Sequence, residues 1–222
     1  MTKSRGTRTG GVAGDETHTG MHTGAAPGAR TRTPSADMRD ALLSSAADLL
    51  EREGPDALSV RRIAAAAGVA PMGVYNHFDS KNGIIEALFV QGFERLRDAL
   101  TAISDIQDPY EALREGGRRY RALALAHPKV YELMFLHTIP AFEPSDAALE
   151  IAARAFDSLV AAVMRAMAAG VLAVGPPTET AQVIWSSIHG WVSLELMGIG
   201  FVEDQDAGFD LGCRSLLRGL RP

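Results

Sequence analysis

Between Ser59 and Lys81 the chain gathers Ser59, Arg61, Arg62, Tyr75, Asn76, His77 and Lys81, a set of hydroxyl, amide, imidazole and cationic side chains. These are the groups that hold nucleic-acid phosphates and read base edges. An arginine fork matches guanine O6 and N7, an asparagine amide suits adenine or phosphate, and hydroxyl and ammonium groups suit phosphate oxygens. Catalysis fits the chain poorly. There is no nucleophile-base-acid set, no phosphate-binding loop and no metal-ligand spacing, so no enzyme activity, cofactor or metal is expected.

Such groups need a scaffold that aims them. Ser59 is an N-cap residue before a short helix carrying Val60, Ile63, Ala64 and Ala67, which Gly68 ends. The small residues Ala64, Ala65, Ala67 and Gly68 let the next helix cross closely. That helix is expected from about residue 70 to 78, opened by Pro71, Met72 and Gly73, because a first-turn proline lacks only an N–H that has no intrahelical partner. Ser80 then caps a long helix with Lys81 in its first turn and Ile85, Leu88, Phe89, Leu96 and Leu100 along one side. Upstream, Met38, Ala41, Leu42, Ser45, Ala46, Leu49 and Leu50 predict an apolar stripe closed by Gly54 and Pro55.

In Ser59–Ala64, Gly68-Val69, Val74-Tyr75, His77-Phe78 and Ser80-Lys81, with no insertion between them, the sequence resembles the TetR family of bacterial regulators. The likeness is close over about residues 38–90. It implies a helix-turn-helix in which Ser59 caps its helix and meets a phosphate, and Arg61 reads a base. Arg62 contacts backbone or stays solvated, and Pro71, Met72 and Gly73 open the recognition helix. Tyr75 and His77 hold phosphates beside the major groove, Asn76 pairs with adenine or phosphate, and Lys81 adds a backbone charge. Val69, Val74 and Phe78 are the expected core. The tip Pro71-Met72-Gly73 has few long polar side chains, so thymine-methyl contacts and DNA shape carry part of the expected specificity.

The second half continues in helices: about 108–126, 127–136, 145–169, 178–199 and 206–220, giving an all-α chain of about nine helices. Residues 127–135 and 185–196 resemble the family's C-terminal type built around a Trp-His-Gly-like segment. This implies a ligand-binding and dimerisation domain. Met and aromatic side chains suit flat apolar molecules, and Tyr131, Met134, Phe135, Met164, Met167, Trp185 and His189 are candidate effector contacts. The helix around 178–199 is apolar on nearly every side, which predicts burial against a partner subunit as well as its own core. Ser186, Gly190, Trp191 and Leu194, with Leu216 and Leu217 of the last helix, are the candidate homodimer interface.

Composition bounds the rest. Residues 1–35 are rich in Gly, Thr, Ala and Arg and are expected to be disordered; residues 36–82 form the helix-turn-helix domain and 83–222 the effector and dimerisation domain. The net charge of −5 excludes a uniformly basic DNA coat, though local cations decide phosphate contacts. A single cysteine, Cys213, precludes an intrachain disulfide and reads as helix packing. No signal peptide or membrane span is visible, so a cytoplasmic protein is expected. The whole points to a transcription regulator, with double-stranded operator DNA, a second copy and a small apolar or aromatic effector as partners. The competing reading is a helical small-molecule-binding protein that does not bind DNA.

Overall fold

Side chains suited to capping start five of the described helices, four of them at the positions that the sequence predicts. In the computed structural model, which describes residues 35–136, 139–140 and 142–222, Ser59 Oγ accepts the N–H of Arg62 and Ser80 Oγ that of Gly83. Asp108, Ser145 and Asp204 do the same for the helices that follow them. The expected N-terminal extension lies outside the described residues apart from its last one.

The helices are α1 (Ser35–Glu53), α2 (Val60–Ala66), α3 (Pro71–Phe78), α4 (Lys81–Thr101), α5 (Pro109–Ala126), α6 (Pro128–Phe135), α7 (Asp146–Ala168), α8 (Pro177–Leu196) and α9 (Gln205–Gly219). Short 3₁₀ turns at Pro55–Ala57 and Ala102–Asp105 complete the described elements, and no strand occurs among them. Proline stands in the first turn of α3, α5, α6 and α8, where a missing N–H costs nothing.

α1, α2 and α3 form the small head, with Leu42, Ala46, Leu50, Leu58, Ile63, Val74 and Phe78 as its core. One detail departs from the expected stripe. Ala41 is exposed and Leu43 is buried, because α1 packs on α6 as well as on α2 and α4 and so buries a wider face. α4 packs against α1, α3, α5, α6 and α7. It runs unbroken through the expected domain boundary at residues 82 and 83, and the described residues from 35 onward fall in one compact unit.

The corner between α3 and α4 is tight. Asp79 adopts a left-handed φ of 58°, and a Cβ on Gly83 would fall 1.9 Å from the Phe78 carbonyl oxygen. Only glycine lets the first turn of α4 lie on the end of α3, and that turn carries Lys81. In the second half, α8 buries a single stripe, Ala181, Ile184, Ile188 and Val192, and leaves Val183, Leu194 and Met197 exposed. No described helix is long and apolar enough to cross a membrane.

Candidate DNA interface and effector cavity

Helix α3 turns Val74 and Phe78 inward and leaves Pro71, Met72, Tyr75 and Asn76 outward, with Tyr75 47% and Met72 64% exposed. Gly73 and His77 are half-buried at its edges. A Cβ on Gly73 would meet Val69 Cγ2 at 3.4 Å, an ordinary contact, so that glycine is not forced by packing. Ser59 sits at the α2 N-terminus, with its hydroxyl hydrogen still available for a phosphate.

The two adjacent arginines of α2 separate in role. Arg61 is exposed and forms no ion pair among the described residues. Arg62 reaches back over the Gly54 turn to Glu53, Nη2 to Oε2 2.6 Å, and this guanidinium lowers the Glu53 pKa. Arg62 therefore ties α2 to the end of α1, a partner that spacing alone did not reveal. Lys81 is half-buried at the α4 N-terminus, also without an acidic partner among the described residues.

Between α4, α5, α7 and α8 lies a cavity of about 220 Å³. Phe135 and Trp185 line it as expected, joined by Phe93 and Leu96 of α4, Tyr120 of α5, Phe156 and Leu159 of α7 and Ile184 of α8. The other candidates fall elsewhere. Met134 packs behind the wall, with its sulfur where a Cβ on Gly92 would sit. Met167 is half-buried against the core, and Met164 points outward, 55% exposed, half a turn round α7 from the cavity-lining Ala155. The Gly116-Gly117 pair is the signal that reading missed. Both glycines line the cavity, and a Cβ on Gly117 would come within 2.7 Å of Ile188 Cδ1.

Tyr131 and His189 form a polar knot at one end of this wall. The hydroxyls of Tyr120 and Tyr131 each lie 2.8 Å from His189 Nδ1, and Trp185 Nε1 donates to Tyr120 Oη at 3.3 Å. Burial lowers the His189 pKa and raises those of both tyrosines, which favours the neutral form of each. The polar groups of the wall are thus satisfied by one another.

Among the described residues no charged side chain lines the cavity. The arginines of α5 hold carboxylates elsewhere: Arg114 and Arg118 pair with Glu111 and Asp210, and Arg121 clasps Glu195 at 2.6 Å and Asp206 at 2.6 Å. No cluster of His, Cys, Asp or Glu among the described residues could hold a metal.

Two carboxylates, one on α1 of the head and one on α4, hold helix ends beside this cavity. Glu51 of α1 accepts the N–H groups of Lys129 and Val130 at the start of α6, at 3.1 and 3.0 Å. Glu86, in the second turn of α4, accepts from Ser145 Oγ at 2.8 Å and from the Ser145 N–H, the cap of α7.

Of the candidate interface residues, Ser186, Gly190 and Leu194 lie on the exposed face of α8. Trp191 is half-buried on Phe209, ring centroids 6.2 Å apart, and Gly208 and Gly212 leave room for its ring. Leu216 is half-buried and Leu217 is 3% exposed, so Leu217 and much of Trp191 are already used to hold α9 to its own chain.

Comparison with known proteins gives two family matches. Residues 42–88 match the family described as bacterial regulatory proteins, tetR family, and residues 113–216 match the tetracyclin repressor-like C-terminal domain. An uncharacterised HTH-type transcriptional regulator of Mycobacterium tuberculosis is 26% identical over 184 residues, 79% of this chain and 78% of that one. A solved protein of unknown function from Rhodococcus sp. RHA1 is 28% identical, with a TM-score of 0.75 over 83% of this chain and 96% of that one. The TetR family transcriptional regulator PfmR from Thermus thermophilus shares the fold at 22% identity and a TM-score of 0.63, over 82% of this chain and 99% of that one.

Proposed function

The chain belongs to the TetR family and is a DNA-binding transcription regulator; we propose that it is a cytoplasmic, homodimeric repressor, released from a near-palindromic operator by a small apolar or aromatic effector. The observation that carries the effector reading is the uncharged cavity of about 220 Å³ whose α6 and α7 walls are gripped at their N-termini by Glu51 and Glu86. A molecule that spreads those walls moves the α6 end that α1 of the head holds and the α7 end that α4 holds. It need only favour the non-binding arrangement by a few kcal/mol to release DNA.

The homodimer is supported by the outward face of α8 and α9. Val183, Leu194 and Leu211 are exposed there, and Ser186 and Gly190 leave room for a second helix. Two copies of α8 and α9 make a four-helix interface about a two-fold axis, with reading heads about 34–36 Å apart, or a multiple of that. The reading assigns the chain no reaction.

The test is fluorescence anisotropy with duplexes from around the chain's own coding region, titrated from about 50 to 200 mM salt. Sequence-selective binding by a dimer that spans two half-sites supports the reading. A steep salt slope without any selectivity would leave only electrostatic affinity and remove the operator from it.

A further inference from the structure

In the described part of the head, residues 35–82, the cations are Arg39, Arg52, Arg61, Arg62 and Lys81. Arg52 and Arg62 both stand close enough to Glu53 to lower its pKa, and Arg62 bonds it directly. Arg61 and Lys81 are the base and backbone contacts considered above. Arg39, on the first half of α1, has no such account. It is exposed and forms no ion pair among the described residues, whereas Arg114, Arg118, Arg119, Arg121 and Arg214 in the second half each hold a carboxylate.

Arg39 is nevertheless held. Its guanidinium carbon lies 5.0 Å from the centroid of the Phe78 ring. Stacking uses the flat face of a guanidinium and leaves its in-plane N–H groups open, which suits bidentate capture of a phosphate. Phe78 is the last residue of α3, and its carbonyl lies against Gly83 in the first turn of α4. The Phe78 ring thus holds Arg39 on the residue that ends α3, two positions before the Ser80-capped start of α4 and three before Lys81. A phosphate at the start of α4 would have the Lys81 charge and the α4 dipole on its side.

The geometry points to Arg39 as a further DNA-backbone contact: a guanidinium from α1, pre-oriented on Phe78, that closes on a phosphate at the α3–α4 corner. This rests on DNA binding alone and not on the repressor or effector readings. Because the contact is to phosphate, it adds affinity without sequence preference, and it releases about one counterion.

The experiment compares the full chain with Arg39→Ala, Arg39→Gln and Arg39→Lys on two duplexes, one from its own flanking DNA and one of scrambled sequence. Binding is followed by anisotropy between about 50 and 200 mM salt, and thermal unfolding is recorded alongside. Arg39→Ala and Arg39→Gln are expected to make the slope of log K against log salt shallower by about 0.9 on both duplexes, so the parent's advantage shrinks about 3.5-fold across that range. Arg39→Lys restores the slope because it keeps the charge. An unchanged slope in Arg39→Ala, with or without a drop in melting temperature, reduces Arg39 to a cover over Phe78 and overturns the proposal. A loss confined to the flanking duplex overturns it too, since that is base reading.

Discussion

The carboxylate of Glu51 accepts the backbone N–H of Val130 at 3.0 Å, so a side chain of the first helix caps the sixth. Lys129 N–H is taken by the other oxygen at 3.1 Å, and the two open donors at the start of α6 are thereby satisfied by an anion placed where the helix dipole favours it.

Replacing Glu51 by Ala leaves those donors to water and is expected to lower unfolding stability by about 0.5–2 kcal/mol, the range for a lost cap. Urea denaturation measures it. Glu51→Gln keeps an acceptor oxygen and should lose less. The same pair reports on coupling: DNA binding to the parent should alter hydrogen exchange in a peptide over residues 128–135, and Glu51→Gln should weaken that response while still binding DNA. An identical response in both proteins would rule out this path between head and cavity.

Gly83→Ala tests the α3–α4 corner. Helix propensity alone favours alanine by about 1 kcal/mol. The added Cβ would meet the Phe78 carbonyl oxygen at 1.9 Å, and that atom is backbone and cannot swing aside. Strain outweighs propensity, and the variant should be about 1–3 kcal/mol less stable, with weakened DNA binding because Lys81 shifts with the corner. A melting temperature at or above the parent's would count against the tight corner.

Much of this corner and of the head could be read from the residues. Ser59, Ser80, Asp108 and Ser145 announce their helices because a cap is a local interaction, made within three residues. The inward turn of Val74 and Phe78 follows from helical period for the same reason. What stayed hidden depends on tertiary approach. Nothing near Arg62 in sequence shows that the Gly54 turn returns Glu53 to it. Met164 and Phe156 are equally apolar, and only the rotation of α7 against α4 decides that Phe156 faces the cavity and Met164 the solvent. Nothing near Trp191 in sequence shows that its ring lies against Gly208 and Gly212 of the same chain.

The cavity wall predicts a charge filter. It has no cationic group, its Tyr120 and Trp185 polar atoms are mutually bonded, and a carboxylate brought inside would lose its hydration without recompense. Naphthalene should therefore raise the melting temperature at pH 7, whereas 2-naphthoate of nearly the same shape should not. Differential scanning fluorimetry with both compounds decides it. Equal shifts would mean that a charge is tolerated and that the ligand sits elsewhere.

His189 gives a pH dependence whose sign is fixed by its burial. Desolvation lowers its pKa in the folded chain below the 6.5 of a free imidazole. At acidic pH the unfolded chain then binds more protons than the folded one, so stability rises with pH. The contribution is complete above about pH 6.5 and is lost as pH falls from there through the folded pKa. His189→Gln removes the proton site and should flatten the dependence of urea stability between about pH 5 and 7. Carboxylates such as Asp210, whose pKa is lowered by Arg114 and Arg118, act only at lower pH and leave that window clear.

The two arginines of α2 offer the sharpest test of how the head meets DNA. Arg61 is exposed and without an acidic partner among the described residues, whereas Arg62 is committed to Glu53 at 2.6 Å. Arg61→Ala is expected to lose discrimination at one base position, by about 1–3 kcal/mol, while Tyr75→Phe and Lys81→Ala weaken all sequences about equally. Arg62→Ala should change DNA affinity least of the four, since its charge is already neutralised by a neighbour and an exposed pair adds little to stability. Binding of a set of single-base operator variants by each protein separates these outcomes. If Arg62→Ala loses discrimination and Arg61→Ala does not, the Glu53 pair opens on DNA and α2 docks with its other arginine toward the bases.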